Sequence, residues 1–143
     1  MINKTLNAVT VALHEEFGDT FHYYLETVQQ ELETPCFTVD MLNPIERSVN
    51  SKHYYRTMPI VVHFFGGVRT DTKKFGYSIG ERALMALEYI IIEDRVIRGE
   101  DMETQIADGV LQLFVTYRYW TDKSVDESDI MMETEDLNAV VRN

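Results

Sequence analysis

From Val110 to Trp120 apolar and polar residues alternate. Leu111, Leu113, Val115, Tyr117 and Tyr119 fall on one side, and Gln112, Thr116 and Arg118 on the other. A period of two sustained over that length marks a strand with one buried face. Such a strand needs a cover for its apolar side, and the start of the chain supplies one. Ile2, Leu6, Val9, Leu13 and Phe17 recur at steps of four, three, four and four, which places them in one stripe along a helix. Gly18-Asp19 ends that stripe.

Between these two elements the reading is less regular. His22–Val28 is rich in tyrosine and predicts a short strand. Pro35 opens a second strand over 36–42, with Phe37, Val39 and Met41 on one face and Thr38 and Asp40 on the other. The polar stretch 43–57 predicts a long loop or a protruding hairpin with Arg47–Val49 as one edge. The run from Met58 to Phe65 predicts a strand buried on both faces, stopped by Gly66-Gly67. Val68–Phe75 reads as a basic loop carrying Arg69, Lys73 and Lys74. Ser78-Ile79-Gly80-Glu81 has the form of a capping box, which predicts a second helix from Gly80 to Asp94 with Ala83, Leu84, Leu87, Ile90 and Ile91 buried. Arg95–Arg98 predicts a short strand, and Asp108-Gly109 a tight turn between Glu103–Ala107 and Val110–Trp120.

The order is helix, three or four strands, helix, two or three strands. It predicts an α+β fold, a largely antiparallel sheet with two packed helices. The chain has 143 residues, enough for one domain that folds without a disulfide or metal. Residues 1–120 form the expected core. Residues 121–143 differ in kind: seven acids stand against two bases, interrupted by Ile130-Met131-Met132 and by Leu137, Ala139, Val140 and Val141. This acidic extension has apolar clusters with which to dock.

The balance of charge excludes a function class. The formal net charge is −11, whereas nucleic-acid binding draws most of its affinity from Lys and Arg on phosphates. Cys36 is the one cysteine, so no disulfide forms within the chain, which fits a reducing compartment. Met1–Thr5 lacks the apolar segment of a secretion signal, and the longest apolar runs, Ile60–Val62 and Tyr89–Ile92, are too short to span a bilayer. The expectation is a soluble protein made in a cytoplasm, with no membrane partner.

No motif carries a reaction. His14-Glu15-Glu16 lacks the second histidine of a zinc helix, since position 18 is glycine. His22, His53 and His63 have no ligand spacing, and His63, in an apolar strand, reads as a hydrogen-bonded core histidine. Cys36 lacks a neighbouring base or helix start to stabilise a thiolate and reads as a small buried hydrophobe. The glycines at 66, 67, 76 and 80 have no Gly-Lys-Ser/Thr to complete a phosphate loop. No enzyme activity, cofactor or metal is expected. The distinctive features are three extended segments on a compact core: 43–57, 66–76 and the acidic tail. That is the anatomy of an assembly subunit.

Tyr24–Phe37 carries the skeleton Tyr-x-Glu-x-Val-x-Gln-x-x-x-x-Pro-x-Phe after an amphipathic helix. Asp108-Gly109-Val110-Leu111 and a strand ending Val115-x-Tyr117 follow. In this order, over most of residues 1–120, the chain resembles the small tail terminator proteins of tailed bacteriophages and of phage-like particles of Gram-positive bacteria. Family members often have Gly after the Gln, where this chain has Glu31. The resemblance implies a homohexameric ring on the head-proximal end of the tail tube. The ring would stop tube growth and present a surface to a neck or connector protein, with sheath as a further neighbour if the tail contracts. It implies a virion protein with no catalytic residues, through whose ring double-stranded DNA passes without specific binding.

Size agrees with this picture. A 143-residue domain has a radius of gyration of about 14–15 Å, and six such bodies in a ring leave a hole roughly 37 Å wide. Acidic residues around that hole would keep DNA mobile. Candidate contacts to neighbours are Arg47, Lys52, Tyr54 and Arg56 in the first segment, and Arg69, Lys73 and Lys74 in the second. Ile130, Met131 and Leu137 are the candidates in the tail. The competing readings are a head–tail completion protein of the neck, a small host enzyme using His63 or Cys36, and a host binding module.

Overall fold

A computed structural model describes residues 2–25, 32–66 and 72–122, without the side chains of 72–74. Helix α1 (Ile2–Phe17) carries the expected stripe and buries Leu6, Val9, Leu13 and Phe17. A single 3-10 turn, Gly18–Thr20, follows it. Strand β1 (His22–Leu25) and strand β2 (Cys36–Met41) pair in parallel. The rest of the expected first strand, 26–28, lies outside the described residues.

The 43–57 segment is a hairpin. Strand β3 (Ile45–Ser48) pairs antiparallel with the first residues of β4 (His53–Phe65), so β4 begins five residues before the apolar run. Its early residues are polar and join the sheet through backbone pairing, which leaves no hydrophobic trace in the sequence. Strands β2 and β3 lie along the same edge of β4, and the pairing slips by one residue across Leu42–Pro44.

Helix α2 (Thr72–Leu87) departs from the sequence reading at both ends. Lys73 and Lys74 lie in its first turn rather than in a basic loop, and Ser78 stands inside it rather than at its cap. Gly76, read as a loop residue, and Gly80, read as the start of the helix, are both buried where the helix crosses the sheet. A Cβ on Gly76 would sit 3.3 Å from Ile106 Cδ1, and one on Gly80 3.5 Å from Leu111 Cδ1. At its far end the helix stops at Leu87, and Tyr89–Ile92 is strand β5. That run of three isoleucines is β-branched and favours a strand over a helix turn. Ile90 is buried as expected, while Ile91 is 64% exposed.

Strand β6 (Arg95–Ala107) joins β5 through a turn in which Glu93 and Asp94 both have positive φ, the geometry of a type I′ hairpin. Strand β6 joins the expected 95–98 strand and the 103–107 segment into one element, with an irregularity between Glu100 and Glu103, where Asp101 also has positive φ. Asp108-Gly109 makes the expected turn into β7 (Val110–Asp122). This last strand includes Thr121 and Asp122, two residues past the point where the sequence places the acidic extension.

The sheet order is β1-β2-β4-β7-β6-β5, with β3 on β4, and every pairing except β1–β2 is antiparallel. Both helices cover one face. Beneath them lie Phe37, Val39, Met58, Ile60, Val62 and the odd-numbered residues Leu111–Tyr119 of β7. The fold is therefore α+β, two helices on a curled, mostly antiparallel sheet.

Three contacts fix the helices. Tyr117, fully buried, donates its hydroxyl to Leu87 O at 2.6 Å. Thr5 Oγ1 and Tyr119 OH are 2.9 Å apart beneath α1. Gly99 N donates to Glu88 O at 2.7 Å, and a Cβ on Gly99 would meet Val115 Cγ2 at 2.7 Å, so only glycine allows this approach.

Candidate assembly interface

Strands β4 and β7 run side by side over twelve residue pairs, from His53↔Asp122 to Phe64↔Leu111. Helices cover the half nearer Phe64. The other half, His53–Thr57 beside Arg118–Asp122, has β3 on one side, and α1 reaches its inner surface where Thr5 Oγ1 meets Tyr119 OH at 2.9 Å. We term this the distal half. That inner surface is closed by this contact and by side chains of the strands themselves. Arg56, 6% exposed, is ion-paired with Glu46 at 2.9 Å and lies over the Tyr54 ring at 5.4 Å. Arg95 lies over Tyr119 and donates to Trp120 O at 2.6 Å, which ties β6 to β7 there.

The outer surface of the distal half is different. Register places side chains in rows across the strands. Arg47 stands opposite Tyr55, and Tyr55 opposite Trp120. The next row runs Ile45, Thr57, Arg118. On the neighbouring β5–β6 ribbon, Ile91 faces Val96 and Tyr89 faces Arg98, with the inward set Ile90, Ile92 and Ile97 buried behind them. The Trp120 ring packs edge-on against Tyr55 at 5.1 Å and His53 at 6.4 Å. Ile45, Val49, Tyr89, Ile91, Val96 and Trp120 are each between 43% and 65% exposed. Half of the twelve large exposed hydrophobic residues among those described therefore lie on one side of one end of the sheet. Large uncovered apolar patches are uncommon on monomers and mark interaction sites.

Charge borders this surface. Arg118 donates to Glu100 at 2.5 Å and Asp101 at 3.0 Å, and these bonds raise its pKa above the ordinary arginine value. Arg47 and Arg98 are exposed on the same side.

The structure brings four of the sequence-predicted contact residues together. Arg47, Lys52, Tyr54 and Arg56 all belong to the β3–β4 hairpin. Arg47 and Lys52 are exposed, Tyr54 is half-buried, and Arg56 turns inward. Lys73 and Lys74 lie on α2, away from this hairpin in the chain. Arg69, Ile130, Met131 and Leu137 lie outside the described residues. The sequence reading missed Ile45, Tyr89, Ile91, Val96 and Trp120. Their signal was present as alternation in Tyr89–Ile92, where the helix reading hid it.

Cys36 is fully buried, and burial raises its thiol pKa. His63 corrects the expectation of a hydrogen-bonded core histidine. It is half-buried, stacked on Phe65, and its Nδ1 stands 3.8 Å from Asp40 Oδ2 without a hydrogen bond. His14 is exposed and meets Asp19 at 2.6 Å. Among the described residues no group of three or more His, Cys, Asp or Glu could hold a metal ion, and no helix is long and apolar enough to cross a membrane.

Comparison with known proteins gives one strong match. The family model of the phage tail terminator protein matches residues 4–129, a span that includes nearly all of α1 and every later helix and strand. No curated protein matches. Solved structures also match, one of them at 9% identity over 81% of this chain and 94% of that one, with a TM-score of 0.34.

Proposed function

The chain belongs to the phage tail terminator protein family, and from that premise we propose that copies of it close into a ring of six on the head-proximal end of the tail tube. The match over 4–129 carries this reading. It makes the protein a structural component of a phage tail, and the ring, the cap and its position are the finer steps.

The anatomy of the subunit supports those steps. A ring closes through heterologous contacts, which require two unlike surfaces on each copy. This chain offers an apolar outer surface at the distal end of its sheet and helices and loops elsewhere. One face of the ring would reproduce a tube subunit's surface and bind the last tube ring. The other face would lack that complementarity, so growth stops there and a neck protein binds. DNA passes through the acidic ring without being held.

The test adds purified full-length chain to tube protein that is polymerising. Tubes that stop at shorter lengths, with this chain at one end, are the expected result. Elongation at an unaltered rate would sink the capping role. Crosslinking to a connector protein in place of tube protein would move the chain to the portal side of the neck.

A further inference from the structure

The outer surface of the distal half is apolar and uncovered, and the sequence contains an apolar, acidic segment with no other assigned role. We propose that this surface is the seat of the C-terminal segment, residues 123–143, of a neighbouring copy. The neighbour is supplied by the ring reading above; the surface and the segment belong to this chain.

The first argument is where the chain leaves the sheet. Strand β7 ends at Asp122, which pairs with His53 beside the hairpin turn at 49–52, at the extreme distal end. The strand runs outward there. Its own rows of Ile45, Trp120, Val96 and Ile91 lie behind that exit, so seating on them needs a reversal. A copy placed beyond the distal end lies ahead of it.

The second argument is length. Ile130 is eight residues past Asp122, a reach of up to about 27 Å when extended. From Ile130 to Leu137, the starts of the two apolar clusters, an extended chain spans about 24 Å. The face from β3 across β4, β7 and β6 to β5 is about 19 Å wide at ordinary strand spacing. One cluster at each side of the face fits that width.

The third argument is composition. Residues 123–143 carry six acids (Asp126, Glu127, Asp129, Glu133, Glu135 and Asp136) against Lys123 and Arg142. The face offers Arg47 and, ion-paired with Glu88 at 4.0 Å but still exposed, Arg98, beside its apolar rows. Apolar clusters would fill the rows, and the intervening acids would meet the arginines at the rim, where such pairs favour the right partner more than they add affinity.

Trp120 is the chain's one tryptophan and stands on this face at 48% exposure, so its fluorescence reports the seat directly. Full-length chain is compared with the full-length double variant Ile130→Asp, Met131→Asp over a concentration series, with light scattering giving the number of copies. The expected result is a blue shift of Trp120 and loss of acrylamide quenching as wild-type copies associate, and no such shift in the variant.

Three outcomes would overturn the proposal. Equal shifts in wild type and variant would mean that another part of a second copy covers the face. Protection that does not depend on concentration would mean that each chain covers itself. Protection that appears only with added tubes, and equally in the variant, would assign the face to the tube protein. The ring reading is judged separately. Association with Trp120 unchanged leaves the ring standing and removes the tail from this face, while Trp120 protection without arrest of tube growth does the reverse.

A second measurement places the contact. Mixing full-length Val96→Cys and Met131→Cys chains, each retaining buried Cys36, with added disulfide oxidant (oxidised glutathione), which takes up the two electrons and two protons, should give a mixed disulfide dimer between copies. Its absence under conditions where copies associate would also overturn the proposal.

Discussion

The outer face of the sheet is one continuous surface with two halves that differ in burial. Toward β2, Cys36 and Thr38 are fully buried and Val61 is 5% exposed. Toward the distal end, Trp120 is 48% exposed, Ile45 55% and Ile91 64%. The strands β4 and β7 are common to both halves, and so is the alternation of their side chains. Strand pairing therefore does not decide which apolar residues leave water. A strand supplies a row of side chains, and only a second layer makes that row a core. The proximal outer residues have left water, and the distal ones, among the described residues, have not.

The largest expected effect lies on the helix-covered side. Leu113 is fully buried beneath the helices. Leu113→Ala should destabilise the chain by about 2–5 kcal/mol, from lost burial and the cavity left behind. Urea unfolding followed by circular dichroism measures it. A loss below about 1 kcal/mol would mean that the helices are not packed on this row.

The proximal outer half comes next. Cys36→Ser places a hydroxyl where burial already disfavours a charged thiolate, and it should cost about 1–3 kcal/mol unless the hydroxyl finds a partner. The native thiol should also resist a thiol reagent until the chain unfolds. Rapid labelling under native conditions would open the proximal outer half to solvent and erase its difference from the distal half.

Tyr117 gives a smaller effect with a pH signature. Burial raises the pKa of its hydroxyl above the ordinary 10.0. The unfolded chain loses this proton near pH 10, while the folded chain keeps it, so stability is fully present below that pH and declines as pH rises above it. The slope from this one group is about 1.4 kcal/mol per pH unit. Tyr117→Phe removes that part of the decline and at neutral pH costs about 1 kcal/mol for the lost bond to Leu87 O. Parallel stability curves for wild type and variant between pH 9 and 11 would contradict it.

How far the sequence carried depends on which physical signal each element left. Strand β7 and helix α1 were legible because each buries one face, and burial writes a period of two or of 3.6 into the residues. Asp108-Gly109 was legible because its backbone needs positive φ. Strand β3 and the start of β4 left no such mark, since their membership rests on backbone hydrogen bonds. The second helix was displaced by two misleading signals. Gly76 resembles loop punctuation and Ser78–Glu81 a cap, although Gly76 and Gly80 both let the helix approach the sheet. Tyr89–Ile92 extended the helical stripe by coincidence, with Ile90 in phase with Leu87. That second error concealed the apolar outer face, because Ile91 became a buried helix residue on paper. The tail was recognised as something that must dock, but the surface that would receive it exists only once β5 is a strand.

The smallest expected effect is the most discriminating. Ile91 and Val96 face one another on the outer side of the β5–β6 ribbon, at 64% and 65% exposure. Replacing both with serine removes little buried area from the isolated subunit. Its unfolding free energy should therefore change by no more than about 0.5 kcal/mol, apart from a small loss of strand propensity. A core pair treated the same way would lose several times that amount. If these residues instead meet a neighbouring copy, the same variant should fail to associate and should not show the blue shift of Trp120, while its unfolding curve in dilute solution stays that of wild type. A drop of about 2 kcal/mol or more in the dilute monomer would make the ribbon's outer side part of the subunit's own core. The two halves of the outer face would then differ in degree of exposure and not in kind.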